Sequence, residues 1–302
     1  MAKLKQDPIK EKDILEYAES YSDFAFELKV LEKITKLEFQ CEHSGTYTDP
    51  ITGKPREFDI RALRKTSFKN FRRVRLSIEC KNLKPNFPLV AHSVPRKPNE
   101  SYHDLLYVFE PGTPSGYNPF SEFSKTIRWK GLYKEGEFVA KSLDQVGRHP
   151  ENSTIVSSSA DVFEKVSQAI NSAYELIERA FHESAKVAAH LNLIVPILVI
   201  PSDALWQINY KEDGSRISVE KIGRASYFIG KTWTVGTSPS IEEYTISHME
   251  IVTFPEVDVL INELFKNLDN LDVIMPVIHP GAKKPIPLKE DETIYKKYRG
   301  VE

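Results

Sequence analysis

Residues 74–82 read VRLSIECKN. A strand over Val74–Cys80 turns Leu76, Ile78 and Cys80 to one side and Ser77, Glu79 and Lys81 to the other, because successive strand side chains alternate. Glu79 and Lys81 therefore share a face. Upstream, Leu37–Tyr47 and Glu57–Leu63 read as two more strands, joined by TDPITGKP, whose Asp, Pro and Gly mark a turn or longer hairpin. The second of these carries Asp59. Before them, helical periodicity runs from about Asp13 to Lys36, with a restart at Ser22 as N-cap. Phe24, Val30, Leu31 and Ile34 recur at helical spacing, and Glu27 falls on the same stripe.

Downstream, residues 85–154 read as irregular, with nine aromatics between Tyr102 and Phe138. A helix follows from about Ala160 to His190, with Val162, Val166, Ile170, Ala173, Ile177 and Phe181 on one stripe. Leu193–Ile200, apolar throughout, fits a strand buried on both sides. After a turn at Asp213-Gly214 come strands over Ala225–Val235 and Glu243–Phe254, then an amphipathic helix from near Pro255. The tail from Pro280 is rich in Pro, Lys and Glu. The expected organisation is a core over 13–215 with an insertion at about 85–155, a unit of strands and helix over 216–279 packed on it, and a charged tail over 280–302.

Forty per cent apolar and 28% charged residues place the 302-residue chain among globular proteins, and exclude wholesale disorder and fibrous repeats. No apolar run reaches the roughly 20 residues of a membrane span. The charged N-terminus lacks the apolar centre of a secretory signal, and the two cysteines, Cys41 and Cys80, give neither a disulfide framework nor zinc spacing. A cytoplasmic protein with no membrane partner is expected. The net charge is −2, but Ile60–Lys97 holds eleven basic residues and one acidic residue, Glu79. Such a segment either attracts a phosphate backbone or is a solvated basic loop. Arg61, Arg64, Lys65, Arg72 and Arg73 are its candidate nucleic-acid contacts, with Asn82 and Lys84 just beyond the strand. Tyr102, Tyr107, Tyr117, Phe120, Trp129 and Tyr133 form either a base-stacking surface or a local core.

A helix glutamate, a hairpin aspartate and a Glu-x-Lys strand are parts suited to phosphodiester hydrolysis. Hard divalent cations held by carboxylate oxygens offset charge on the phosphate and lower the pKa of a bound water. Asp59 and Glu79 supply such oxygens, and the Cys80 carbonyl is a further candidate ligand. Lys81 would orient or help deprotonate the attacking water, and Glu27 would support the metal.

In that order and context, Glu27, Asp59 and Glu79-Cys80-Lys81 resemble the PD-(D/E)XK nuclease superfamily over roughly Tyr21–Tyr210, with Phe58 where the family name has proline. The resemblance implies an α/β restriction-endonuclease-like core, with a central mixed sheet flanked by helices. It implies a Mg2+- or Mn2+-dependent endonuclease acting on DNA; Gln168, on the following helix, is either a supporting residue near the metal or a solvent-facing glutamine. A non-catalytic nucleic-acid-binding or interaction protein is the alternative. A homodimer or a separate partner subunit is compatible with either.

Overall fold

The computed structural model describes residues 7–66, 71–109, 123–182, 190–236 and 241–274. It begins with helices α1 (Glu11–Ser20) and α2 (Phe24–Lys36), then a three-strand meander, β1 (Gln40–Thr48), β2 (Pro55–Thr66) and β3 (Phe71–Cys80). Strands β4 (Leu89–Pro95), β5 (His103–Phe109), β6 (Phe123–Trp129), β7 (Phe138–Arg148) and β8 (Ile155–Ser158) lead to helix α3 (Ala160–His182). Then follow β9 (His190–Ile200), β10 (Leu205–Tyr210), β11 (Arg216–Lys221), β12 (Arg224–Val235), β13 (Glu242–Thr253) and helix α4 (Val257–Ile274).

The thirteen strands among the described residues belong to one mixed sheet with helices on both sides. Its main path runs β1-β2-β3-β9-β13-β12-β7-β4-β10-β11, with β5 and β6 branching from β9 and β8 from β7. The period-2 rule sorts β3 between two cores. Leu76, Ile78 and Cys80 pack with Val30 and Ile34 of α2 and with Leu260 and Leu264 of α4. Ser77, on the other face, donates from Oγ to the Ala169 carbonyl of α3 at 2.8 Å. β9 contributes Val195 and Ile197 to the first core and Ile194 and Leu198 to the second, the double-sided burial expected of an uninterrupted apolar strand.

The β1–β2 turn is held by Asp49, whose carboxylate accepts from the Ile51 and Thr52 amides and from Asn171 of α3. Gly53 takes φ +67° there, a conformation open to glycine without a Cβ clash. The turn is thereby anchored to α3, and β2 is fixed against the helix that faces the site.

The described part of the chain between 85 and 155 is strand-rich rather than irregular. It supplies β4–β8, so its described part is built into the same sheet. Tyr102, Tyr107, Trp129 and Tyr133 are buried, which makes them core and excludes them as a surface for stacked bases. Tyr117 and Phe120 lie outside the described residues. The strands expected at 225–235 and 243–254 are β12 and β13, and β13 lies between β9 and β12 within the sheet. Helix α3 is described to His182, and the remainder of its expected span to residue 189 lies outside the described residues; His190 already belongs to β9. The expected tail from residue 280 is likewise outside them.

Pro196 is an unusual residue for an inner strand, because it has no N–H to donate. It falls where one edge of β9 passes from β5, paired at residues 190–192, to β13, paired at 197–200. His103 fills part of this interval, its Nε2 hydrogen-bonded to the Ile194 carbonyl at 3.1 Å.

Candidate active site

Asp59 on β2 and Glu79 on β3 face α3, and the side chain that meets them is Lys165, in the second turn of that helix. The Lys165 ammonium donates to Asp59 Oδ1 at 2.9 Å, Asp59 Oδ2 at 2.8 Å and Glu79 Oε2 at 3.0 Å. The remaining acceptor capacity is also used. Asp59 Oδ2 accepts from the Cys80 amide at 2.8 Å, and Glu79 Oε1 from the Asp59 amide at 3.4 Å. The carboxylates thus hold each other's strands in register, and three of their oxygens converge on one nitrogen.

Glu79 has no exposed side-chain surface, whereas Lys165 and Asp59 retain 17% and 13%. Burial, and then the charge of Asp59, push the Glu79 carboxyl well above its usual range, and Lys165 pulls it back. Burial and Asp59 also raise Glu27, against the pull of Lys165 and His43. Burial lowers Lys165, yet Glu79 and Asp59 outweigh it and hold the ammonium above its ordinary value. Three carboxylates thus share the field of a single ammonium, with His43 Nε2 3.5 Å from Glu27 Oε2. Like charges gathered this way are relieved either by a proton on one carboxyl or by a further cation.

Asp59 and Glu79 thus meet on one lysine, with Glu27 near enough to feel the charge of Asp59 and Lys165, but Lys81 is not part of the cluster. Strand β3 ends at Cys80, and Lys81 Nζ pairs with Asp23 Oδ2 at 3.2 Å. Asp23 precedes α2, yet its carboxylate makes no capping bond to its own helix; it also accepts from the Asn82 amide at 2.7 Å. Asn82 Nδ2 donates to the Ser22 carbonyl, so Lys81 and Asn82 fasten the end of β3 to the start of α2. Cys80 presents its amide to Asp59. Gln168, one turn after Lys165, accepts on its carbonyl from Tyr47 Oη at 3.5 Å, and its Oε1 is buried without a partner among the described residues.

Lys165 had a signal in the sequence. It stands three residues after Val162 and four before Ala169, both fully buried, so it lies on the apolar stripe as Glu27 does on α2. Its pairing with Glu79, 86 positions away in sequence, is invisible to local spacing.

Much of the basic segment is spent inside the fold. Arg61 is 2% exposed, bonded to Ser172 Oγ at 3.0 Å and Glu175 Oε2 at 3.1 Å, and stacked over Phe58 at 4.1 Å. Arg72 is buried, and Arg64 pairs with Glu38 at 2.7 Å. Arg61 is therefore a core residue, not a DNA contact. Arg61→Ala should cost about 2–3 kcal/mol of stability through lost packing and pairing. Urea unfolding measures this, and unaltered stability of the variant would contradict the assignment.

No helix among the described residues is long and apolar enough to cross a membrane. Nor does any group of three His, Cys, Asp or Glu among them already stand as a ready metal-ligand set. No protein-family model, curated protein or solved structure matches the chain.

Proposed function

We propose that the protein is a divalent-metal-dependent nuclease that hydrolyses DNA phosphodiester bonds on a restriction-endonuclease-like core. The observation that carries this reading is the convergence of Asp59 and Glu79 oxygens on one point, with Glu27 in the same field and one lysine to balance them. The donor set is all hard oxygen, which fits Mg2+ or Mn2+. Asp59 and Glu79 would hold the cation, with Glu27 in support. When bound, the cation would offset charge on the phosphate and make a water more acidic.

The chain's own groups do the rest. Glu79, locked by the Asp59 amide and buried, fixes the position of the site. Lys165 stands where the sequence pattern expects Lys81, and its ammonium would donate to a phosphate oxygen and stabilise charge as it develops. Hydrolysis adds the hydroxyl of water to phosphorus, breaks the bond from phosphorus to the departing ester oxygen and leaves the proton of the water on that oxygen, and the Lys165 ammonium would offset the charge that builds during the exchange. Lys65, exposed, and Arg73 and Lys84, half-buried, remain candidate backbone contacts of the basic segment.

The experiment is cleavage of a labelled mixture of plasmid, linear and single-stranded DNA, with Mg2+ or Mn2+ and with chelator. Metal-dependent cutting is expected, and its substrate preference names the class. DNA bound but uncut in every condition would favour a binding module with this fold.

A further inference from the structure

The three oxygens that suit a divalent cation are the three that Lys165 Nζ already occupies, at 2.8, 2.9 and 3.0 Å. Two positive groups cannot share so small a set of buried oxygens without strong repulsion. We infer that Lys165 is a stand-in cation: it closes the carboxylate pair in the metal-free protein, and divalent metal loads by displacing it. The inference rests on the metal-dependent reading and deepens it by naming what the metal must compete with.

The arrangement has a physical reason. Glu79 is fully buried beside Asp59, and without a counter-charge two such carboxylates would repel each other across the β2–β3 pair that positions them. A lysine suits a temporary counter-ion because its charge sits on a flexible four-carbon stem, which swings without moving the helix. Lys165 is also not sealed in, since 17% of its side-chain surface stays exposed. A displaced Lys165 would lie beside the site as a free ammonium, available to a phosphate oxygen. One residue thereby preserves the empty site and serves the loaded one.

The test is Mn2+ affinity by isothermal titration of wild type, Lys165→Met and Lys165→Gln, with circular dichroism to establish folding. Both variants should bind Mn2+ at least about tenfold more tightly than wild type, because the competitor is gone. Equal or weaker binding by the folded variants would overturn the inference, and so would absence of binding by all three proteins, which would remove the metal reading with it. Tighter binding by the variants, with no DNA cleavage by wild type, would sustain the stand-in role while refuting the nuclease. A crystal structure of wild type with Mn2+ covers the case in which the variants do not fold. Lys165 Nζ is expected beyond hydrogen-bond distance of both carboxylates there, and its retention on all three oxygens beside a bound metal would overturn the inference.

Discussion

Lys165→Ala should slow DNA cleavage by about a hundredfold or more, the scale for removing one charged group that stabilises a developing anion. Lys81→Ala should slow it by no more than about fivefold, through loosening of a partly exposed pair with Asp23. Rates at saturating Mn2+ separate the two, because both variants would then be fully loaded. The expected pattern for Lys165 is tighter metal and slower chemistry together. A purely structural lysine would weaken both, and a Lys81 effect larger than the Lys165 effect would return catalysis to the strand.

Acidification from pH 7 to pH 5 should remove about 4 kcal/mol of stability through two buried histidines. Burial pushes His103 down to about 4, although Asp104 and the Ile194 carbonyl favour its charged form. Burial first, and then Arg96, His103 and Lys141, push His248 down to about 2. An unfolded histidine takes up its proton near 6.5, so below that pH the unfolded chain binds more protons and stability is lost as pH falls. Each histidine contributes about 2 kcal/mol of this by pH 5. Glu27 and Glu79, held above their usual range, act in the opposite direction. The comparison that isolates the effect is wild type against His248→Gln by urea unfolding at both pH values. Wild type should lose about 2 kcal/mol more than the variant, and equal losses would contradict the account.

Periodicity carried the reading where one rule governed a whole element. The strand holding Glu79, the hairpin holding Asp59 and the doubly buried β9 each obey a single period, while on α2 the stripe held at Val30 and Ile34 but Phe24 is exposed and Phe26 is the buried aromatic. The alternation argument failed for Lys81 because it holds only while the strand continues, and β3 stops one residue earlier. The segment after it failed for a different reason. β5 begins with His103 and Asp104, residues that suggest a loop, yet both are buried because long-range partners satisfy them. His103 meets the Ile194 carbonyl, and Asp104 accepts from the Thr245 amide at 3.0 Å and pairs with Arg128. β4 and β7 are interrupted by a register shift at His92/Ser93, which breaks their pattern as well. The basic segment misled in the same way, since a sequence shows the charge of Arg61 but not the Glu175, 114 positions away, that absorbs it.

The measurement closest to the central claim is Mn2+-dependent cleavage of plasmid DNA by wild type beside Glu79→Gln. The substitution keeps the size of the buried side chain and removes one carboxylate from the point where Asp59, Glu79 and Lys165 meet. The account expects cutting by wild type that chelator abolishes, and a loss of at least about a thousandfold in the variant. Equal cutting by both proteins would contradict it, because hydrolysis would then proceed without the carboxylate on which the site is built.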